Sequence, residues 1–105
     1  MFIAVYEMKA KPGMEQQFRE SWAAVTDAIM EHRGGLGSRL HETDTSGLFV
    51  AYAQWPSREA WQDRSGWDSF RSEQSRQVEL MRQSLEYSKT VYELQVADDR
   101  LVQSV

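Results

Sequence analysis

The sequence predicts an α+β protein of ferredoxin-like order, β-α-β-β-α-β: a four-stranded antiparallel sheet with helices on one face. Two amphipathic helical stripes and four short apolar runs follow one another in that order along the 105 residues. Turns containing glycine or proline punctuate the first half, and no linker, repeat or low-complexity segment interrupts the pattern. The length suits a single domain, 1–105, able to bury ~60–70% of its unfolded surface.

Residues 2–9, "FIAVYEMK", are short, apolar and closed by "KPG", the signature of a strand. Beyond Gly13, the residues Met14, Phe18, Trp22, Val25 and Ile29 recur at spacings of 4, 4, 3 and 4. Glu15, Arg19, Asp27 and Glu31 lie off that stripe, which makes the segment an amphipathic helix. Gly34-Gly35 ends it, and His32 in its last turn suits the negative end of the helix. Residues 36–43 and 48–55 flank "DTSG" as a hairpin. In "WPSREAW", Pro56 removes a donor and pushes Trp55 into extended backbone. Ser57 is a favoured N-cap, with Glu59 at the positive end of the helix and Pro56 and Trp61 placed as a hydrophobic staple. A short helix therefore runs from about 57 to 64. A long one is expected over about 67–86, with Trp67, Phe70, Gln74, Val78, Met81 and Leu85 as its stripe. Residues 89–97, "KTVYELQVA", give the fourth strand, and the last residues are expected to fray.

Composition excludes several functions. Without cysteine there is neither a disulfide framework nor a thiolate metal site. A net charge of −4 argues against nucleic acid or an anionic membrane surface as the main partner. No apolar run approaches the ~20 residues of a membrane span, and residues 1–10 lack a signal peptide's basic start, so a cytoplasmic location is expected. No phosphate loop, nucleophile elbow or paired-carboxylate arrangement is visible. Four tryptophans, at 22, 55, 61 and 67, are more than so small a core needs.

Strand parity sharpens the reading. Phe2, Ala4, Tyr6 and Met8 share one face of the first strand, Ile3, Val5 and Glu7 the other. In the third, Phe49, Ala51, Ala53 and Trp55 oppose Leu48, Val50, Tyr52 and Gln54. Neither strand alternates apolar with polar, although the helices can cover only one face. A second copy is expected on the other, giving a homodimer through Ile3, Val5, Val50 and Tyr52; the alternative is a partly exposed sheet in a monomer. Trp55 shares the helix-facing parity of Ala51 and Ala53, which leave room beside it. It is either core or the wall of a pocket that Tyr6, Trp67, Phe70 and Gln74 could also reach. Gln74 interrupts an apolar stripe, as a ligand for a substrate oxygen or a partner for a backbone carbonyl. His41, with Arg39 on the same side of the second strand, is a general base or a rim residue. His41 and Glu42 point to opposite faces and make no metal site.

The chain resembles the antibiotic biosynthesis monooxygenase type of dimeric α+β barrel over roughly residues 2–96. The resemblance rests on "KPGMEQQF", "GGLGSRLHETD" and above all "FVAYAQWPSREAW". It implies two ferredoxin-like subunits packed sheet to sheet, each with a pocket between sheet and helices. The implied chemistry is oxygenation of a phenolic or quinol-type molecule with no metal, flavin or other cofactor. In relatives that oxidise phenolic polyketides, a strand-end Trp is helped by an Asn, a Tyr and a helix Arg. Trp55 keeps the Trp, Ala51 stands for the Asn, Trp61 for the Tyr, and Arg76 is the candidate Arg. The haem-degrading branch needs a helix His and a strand Asn, where this chain has Gln74 and Tyr6, so haem is not expected. Arg64 and Ser69 fall near places where many relatives carry histidine. The resemblance thus implies an aromatic small molecule as ligand, with Trp55, Trp61, Trp67, Phe70, Gln74 and Arg76 around it and His41 or Tyr6 managing a proton. A non-catalytic binding protein of the same fold is the alternative.

Overall fold

The computed structural model describes residues 1–101; the expected fraying of the last residues falls largely outside them. The elements are β1 (Phe2–Ala10), α1 (Glu15–His32), β2 (Gly37–Glu42), β3 (Leu48–Trp55), α2 (Arg58–Gln62), α3 (Trp67–Glu73), α4 (Ser75–Ser84) and β4 (Leu85–Gln95). They form one antiparallel sheet in the order β2-β3-β1-β4, which is the predicted ferredoxin-like arrangement. No helix among the described residues is long and apolar enough to cross a membrane.

Register sets which side chains share a face. Phe2, Ala4, Tyr6 and Met8 lie opposite Trp55, Ala53, Ala51 and Phe49, and all eight lie on the helix side of the sheet. The hairpin end is tied to β1 by the Ala10 amide, which donates to the Gly47 carbonyl at 2.8 Å. Gly47 has φ +76°, and a Cβ there would sit 3.2 Å from the Ala10 carbonyl oxygen, so the turn requires glycine. Along β1 and β4 the register slips twice: Val5 faces Tyr92 while Tyr6 faces Thr90, so Val91 is the extra residue of a bulge, and Lys9 faces Tyr87 while Ala10 faces Leu85, which leaves Glu86 over at the start of the strand.

The helix expected over 67–86 is two helices. At Gln74 the backbone turns to φ −102° and ψ 19°, ending α3 and starting α4. The amide of Gln74 still reaches the Phe70 carbonyl and its carbonyl accepts from Val78, so the break is a bend rather than a gap. It lets α3 cover the Trp67 end while α4 packs along α1, where Gln17 Nε2 donates to the Leu80 carbonyl and Ser84 Oγ. The fourth strand also starts earlier than predicted. Ser84 is wholly buried, its hydroxyl donates to Leu80 and its carbonyl accepts from Lys11, so α4 passes straight into β4 with no turn residue to mark the junction.

The core has two parts. Met8, Ala10, Phe18, Phe49 and Ala51 form one cluster, and Phe2, Ala4, Ala53 and Trp55 the other. Tyr6 packs against both. Between α2 and β3, Ser57 is the N-cap read from the sequence: its Oγ accepts from the Ala60 amide at 3.1 Å. Ser57→Ala should therefore cost about 1 kcal/mol of unfolding free energy and Ser57→Gly only a few tenths, measured by urea denaturation. Equal losses would remove the hydroxyl from the account.

Candidate functional site

Where the two core clusters fail to meet, a cavity of about 310 Å³ opens between sheet and helices. That is near the lower end of the ~300–1,000 Å³ common for small-molecule pockets. All four tryptophans line it, together with Tyr6. Trp22 enters from the apolar stripe of α1, and Trp55 from the end of β3. Trp55 is only 7% exposed. A Cβ at Gly35 would meet Ile29 Cγ2 at 2.9 Å, so the glycine after α1 leaves space for Ile29, while the indole at 3.8 Å would be in ordinary contact. Trp61 lies on Phe2, ring centroids 5.1 Å apart, and its Nε1–H donates to the Tyr6 hydroxyl at 2.7 Å. Trp67 starts α3 and carries the guanidinium of Arg33 at 5.3 Å and that of Arg64 at 5.7 Å over its ring.

Met8, Val25, Ile29 and Met81 add apolar wall, and small or hydroxylated side chains make part of the sheet floor. Ala51 sits opposite Tyr6, and Ser38, Ser88 and Thr90 come from β2 and β4. No carboxylate or imidazole is among the lining residues described. Nor do three or more His, Asp or Glu side chains gather anywhere among the described residues as a metal site would require.

Tyr6 is the chemically distinctive group. Burial pushes its phenol above the ordinary tyrosine value; the Trp61 hydrogen bond and the nearby Arg64 charge pull the other way by less, and Glu93 adds to the rise. At neutral pH Tyr6 is thus a neutral hydroxyl. Because the Trp61 N–H occupies a lone pair of its oxygen, the Tyr6 proton is left for another acceptor. A raised pKa means the folded chain holds that proton more tightly than the unfolded one. The stabilisation is whole below the unfolded value of ~10 and fades as pH rises through the higher folded value. Ultraviolet titration of the wild type minus Tyr6→Phe should show one phenol ionising above an ordinary tyrosine. A difference curve at or below the ordinary midpoint would contradict this environment.

Of the residues picked from the sequence, the structure brings Tyr6, Trp55, Trp61 and Trp67 to this cavity. Phe70 lies buried edge-on beneath Trp67, centroids 5.0 Å apart, and does not line it. Gln74 is at the α3–α4 bend and Arg76 is exposed on α4. His41 pairs with Val50 on the opposite face of the sheet, its Nδ1 2.8 Å from the Val50 carbonyl oxygen. Trp22, Arg64, Ser88 and Thr90 were not picked as site residues. Trp22 was visible as a helix-stripe residue, whereas Ser88 and Thr90 depend on a register no local pattern gives.

The sequence profile described as antibiotic biosynthesis monooxygenase matches residues 1–75. The chain belongs to that family. Among solved structures, SnoaB, a cofactor-independent oxygenase from Streptomyces nogalater, superposes with a TM-score of 0.72 at 16% identity, covering 94% of this chain and 95% of its own. A monooxygenase from the gene ActVA-Orf6 of Streptomyces coelicolor, in complex with nanaomycin D, gives 0.67 at 24% identity, covering 97% and 92%. Rv0793 from Mycobacterium tuberculosis gives 0.67 at 14%, covering 95% and 98%. At these identities the likeness shows the shared fold. No curated protein sequence matches the chain significantly. Membership of the antibiotic biosynthesis monooxygenase family agrees with the resemblance carried by "FVAYAQWPSREAW".

Proposed function

We propose that the chain is a monooxygenase acting on a phenolic or quinol-type aromatic molecule in the tryptophan-walled cavity, without a bound cofactor. The observation that carries this reading is the convergence of Trp22, Trp55, Trp61, Trp67 and Tyr6 on one space. A flat aromatic ring would stack on those walls and leave its oxygen toward the Tyr6 hydroxyl. In the overall reaction, a phenol and one dioxygen give a quinone and one water. One oxygen atom becomes the new carbonyl; the other leaves as water with two substrate hydrogens. The electrons come from the substrate itself. The chain's share is to orient the ring, hold the developing negative charge by hydrogen bonding from Tyr6 and exclude bulk water. That a solved relative was crystallised with nanaomycin D supports a small-molecule ligand for this cavity.

A second reading has its own support. With no imidazole or carboxylate among the lining residues described, and with Tyr6 a neutral phenol, no lining side chain stands ready to take a substrate proton, which favours a non-catalytic binding protein of the same fold. Oxygen uptake with a panel of phenols and hydroquinones, in flavin-free buffer with a chelator, separates the two. The monooxygenase reading expects one dioxygen consumed per quinone formed. Saturable binding with no uptake above the buffer rate would leave the binding protein.

The face of the sheet away from the helices supports a homodimer. Ile3, Val5, Val50 and Tyr52 lie there by register, joined by Tyr92 and Leu94 of β4, which are exposed. A self-complementary apolar face of this kind is met most simply by a second copy across a two-fold axis.

A further inference from the structure

We infer that Arg64 makes the cavity selective for aromatic molecules that carry a carboxylate, held by its guanidinium at the cavity mouth. The inference rests on the cavity being the ligand site and names the kind of ligand it takes. Arg64 lines the cavity at its solvent end, with its guanidinium 5.7 Å from the centre of the Trp67 ring. Among the described residues no acidic side chain lies within ion-pair distance of it. The neighbouring charges are already engaged: Arg58 pairs with Glu93, Arg71 with Asp68, and Arg33 donates to the Asp63 carbonyl at 3.3 Å. The Asp63 carboxylate is held by the amide and hydroxyl of Ser65.

Inside the cavity the balance is one-sided. Its described lining offers one cation, hydroxyl donors and aromatic faces, and no anion. A carboxylate placed at the mouth would gain charge-assisted hydrogen bonds from a planar guanidinium, while the Tyr6 hydroxyl, fixed by Trp61, stays with the ring oxygen. A neutral ligand of the same shape would gain only the walls. Trp67 holds the guanidinium over its face, so the cation is placed before the ligand arrives.

Quenching of tryptophan fluorescence by two probes tests the inference: 1-hydroxy-2-naphthoate and 1-naphthol, at pH 7 and low salt. The carboxylated probe should bind at least about tenfold more tightly. Arg64→Gln should erase that preference while leaving 1-naphthol within about twofold, and Arg64→Lys should restore part of it. Arg76→Gln, on the exposed side of α4, should change neither. Equal affinity of the wild type for both probes, or a preference that survives Arg64→Gln, would overturn the inference and leave the aromatic cavity standing. If neither probe binds, the cavity reading and the inference fall together.

Discussion

Trp55→Ala should lower the unfolding free energy by about 3 kcal/mol and abolish binding of aromatic probes, whereas Phe18→Ala should cost about 4–5 kcal/mol. Both rings are almost completely removed from water, at 7% and 0% exposure. Their surroundings differ. Phe18 is enclosed by Met8, Ala10, Ala51 and Phe49, the last ring 5.1 Å away, so its loss empties a space with packed walls on every side. Trp55 packs on Phe2, Ala4 and Ala53 but turns another flank to the cavity, where part of its dispersion contact is already missing. Trp55→Phe should retain most of the stability, because the smaller ring keeps the contact with Phe2. Urea denaturation gives all three values. A Trp55→Ala loss as large as that of Phe18→Ala would mean that the indole has no open space beside it. Because domains of this size are stable by about 5–15 kcal/mol, Trp55→Ala should remain folded.

The second large effect concerns assembly. Sedimentation equilibrium at micromolar concentration should give twice the 12.2 kDa chain mass. The double variant Tyr92→Asp, Leu94→Lys should give the single mass, since it places charges on the most exposed part of the apolar face, along the edge strand β4. Tyr92 is 62% exposed in the single chain, so the substitutions remove little from the fold of one subunit. Quenching by 1-naphthol serves as the control, because the cavity lies on the other face of the sheet. A single-chain mass for the wild type would end the homodimer proposal.

The first half of the molecule was legible in the sequence because its signals are local. Periodicity marks α1, "DTSG" marks the hairpin, and Ser57 caps α2 through a hydrogen bond spanning three residues. Parity placed Tyr6 and Trp55 on the helix side, since one strand suffices to fix which side chains alternate. The second half was less legible. A single stripe from Trp67 to Leu85 reads as one helix, yet the bend at Gln74 follows from two different surfaces to be covered, one near Trp67 and one along α1. The hydrogen bond from Trp61 to Tyr6 joins residues 55 positions apart and leaves no trace in spacing. Arg64 sits in an ordinary polar turn, and only the fold brings it to the same cavity as Trp67 and Tyr6.

The extra residue at Val91 has a consequence of phase. In an unbroken alternation from Thr90, Tyr92 would fall opposite Ala4 and Leu94 opposite Phe2, among the helices, and Glu93 would face outward. The slip by one residue reverses this. Ser88 and Thr90 keep their hydroxyls toward the cavity, Glu93 stays on the helix side within reach of Arg58, and Tyr92 and Leu94 swing to the far face. One strand thereby writes two unrelated surfaces in succession, a polar cavity floor in its first half and an apolar outer face in its second. Each can change without rephasing the other.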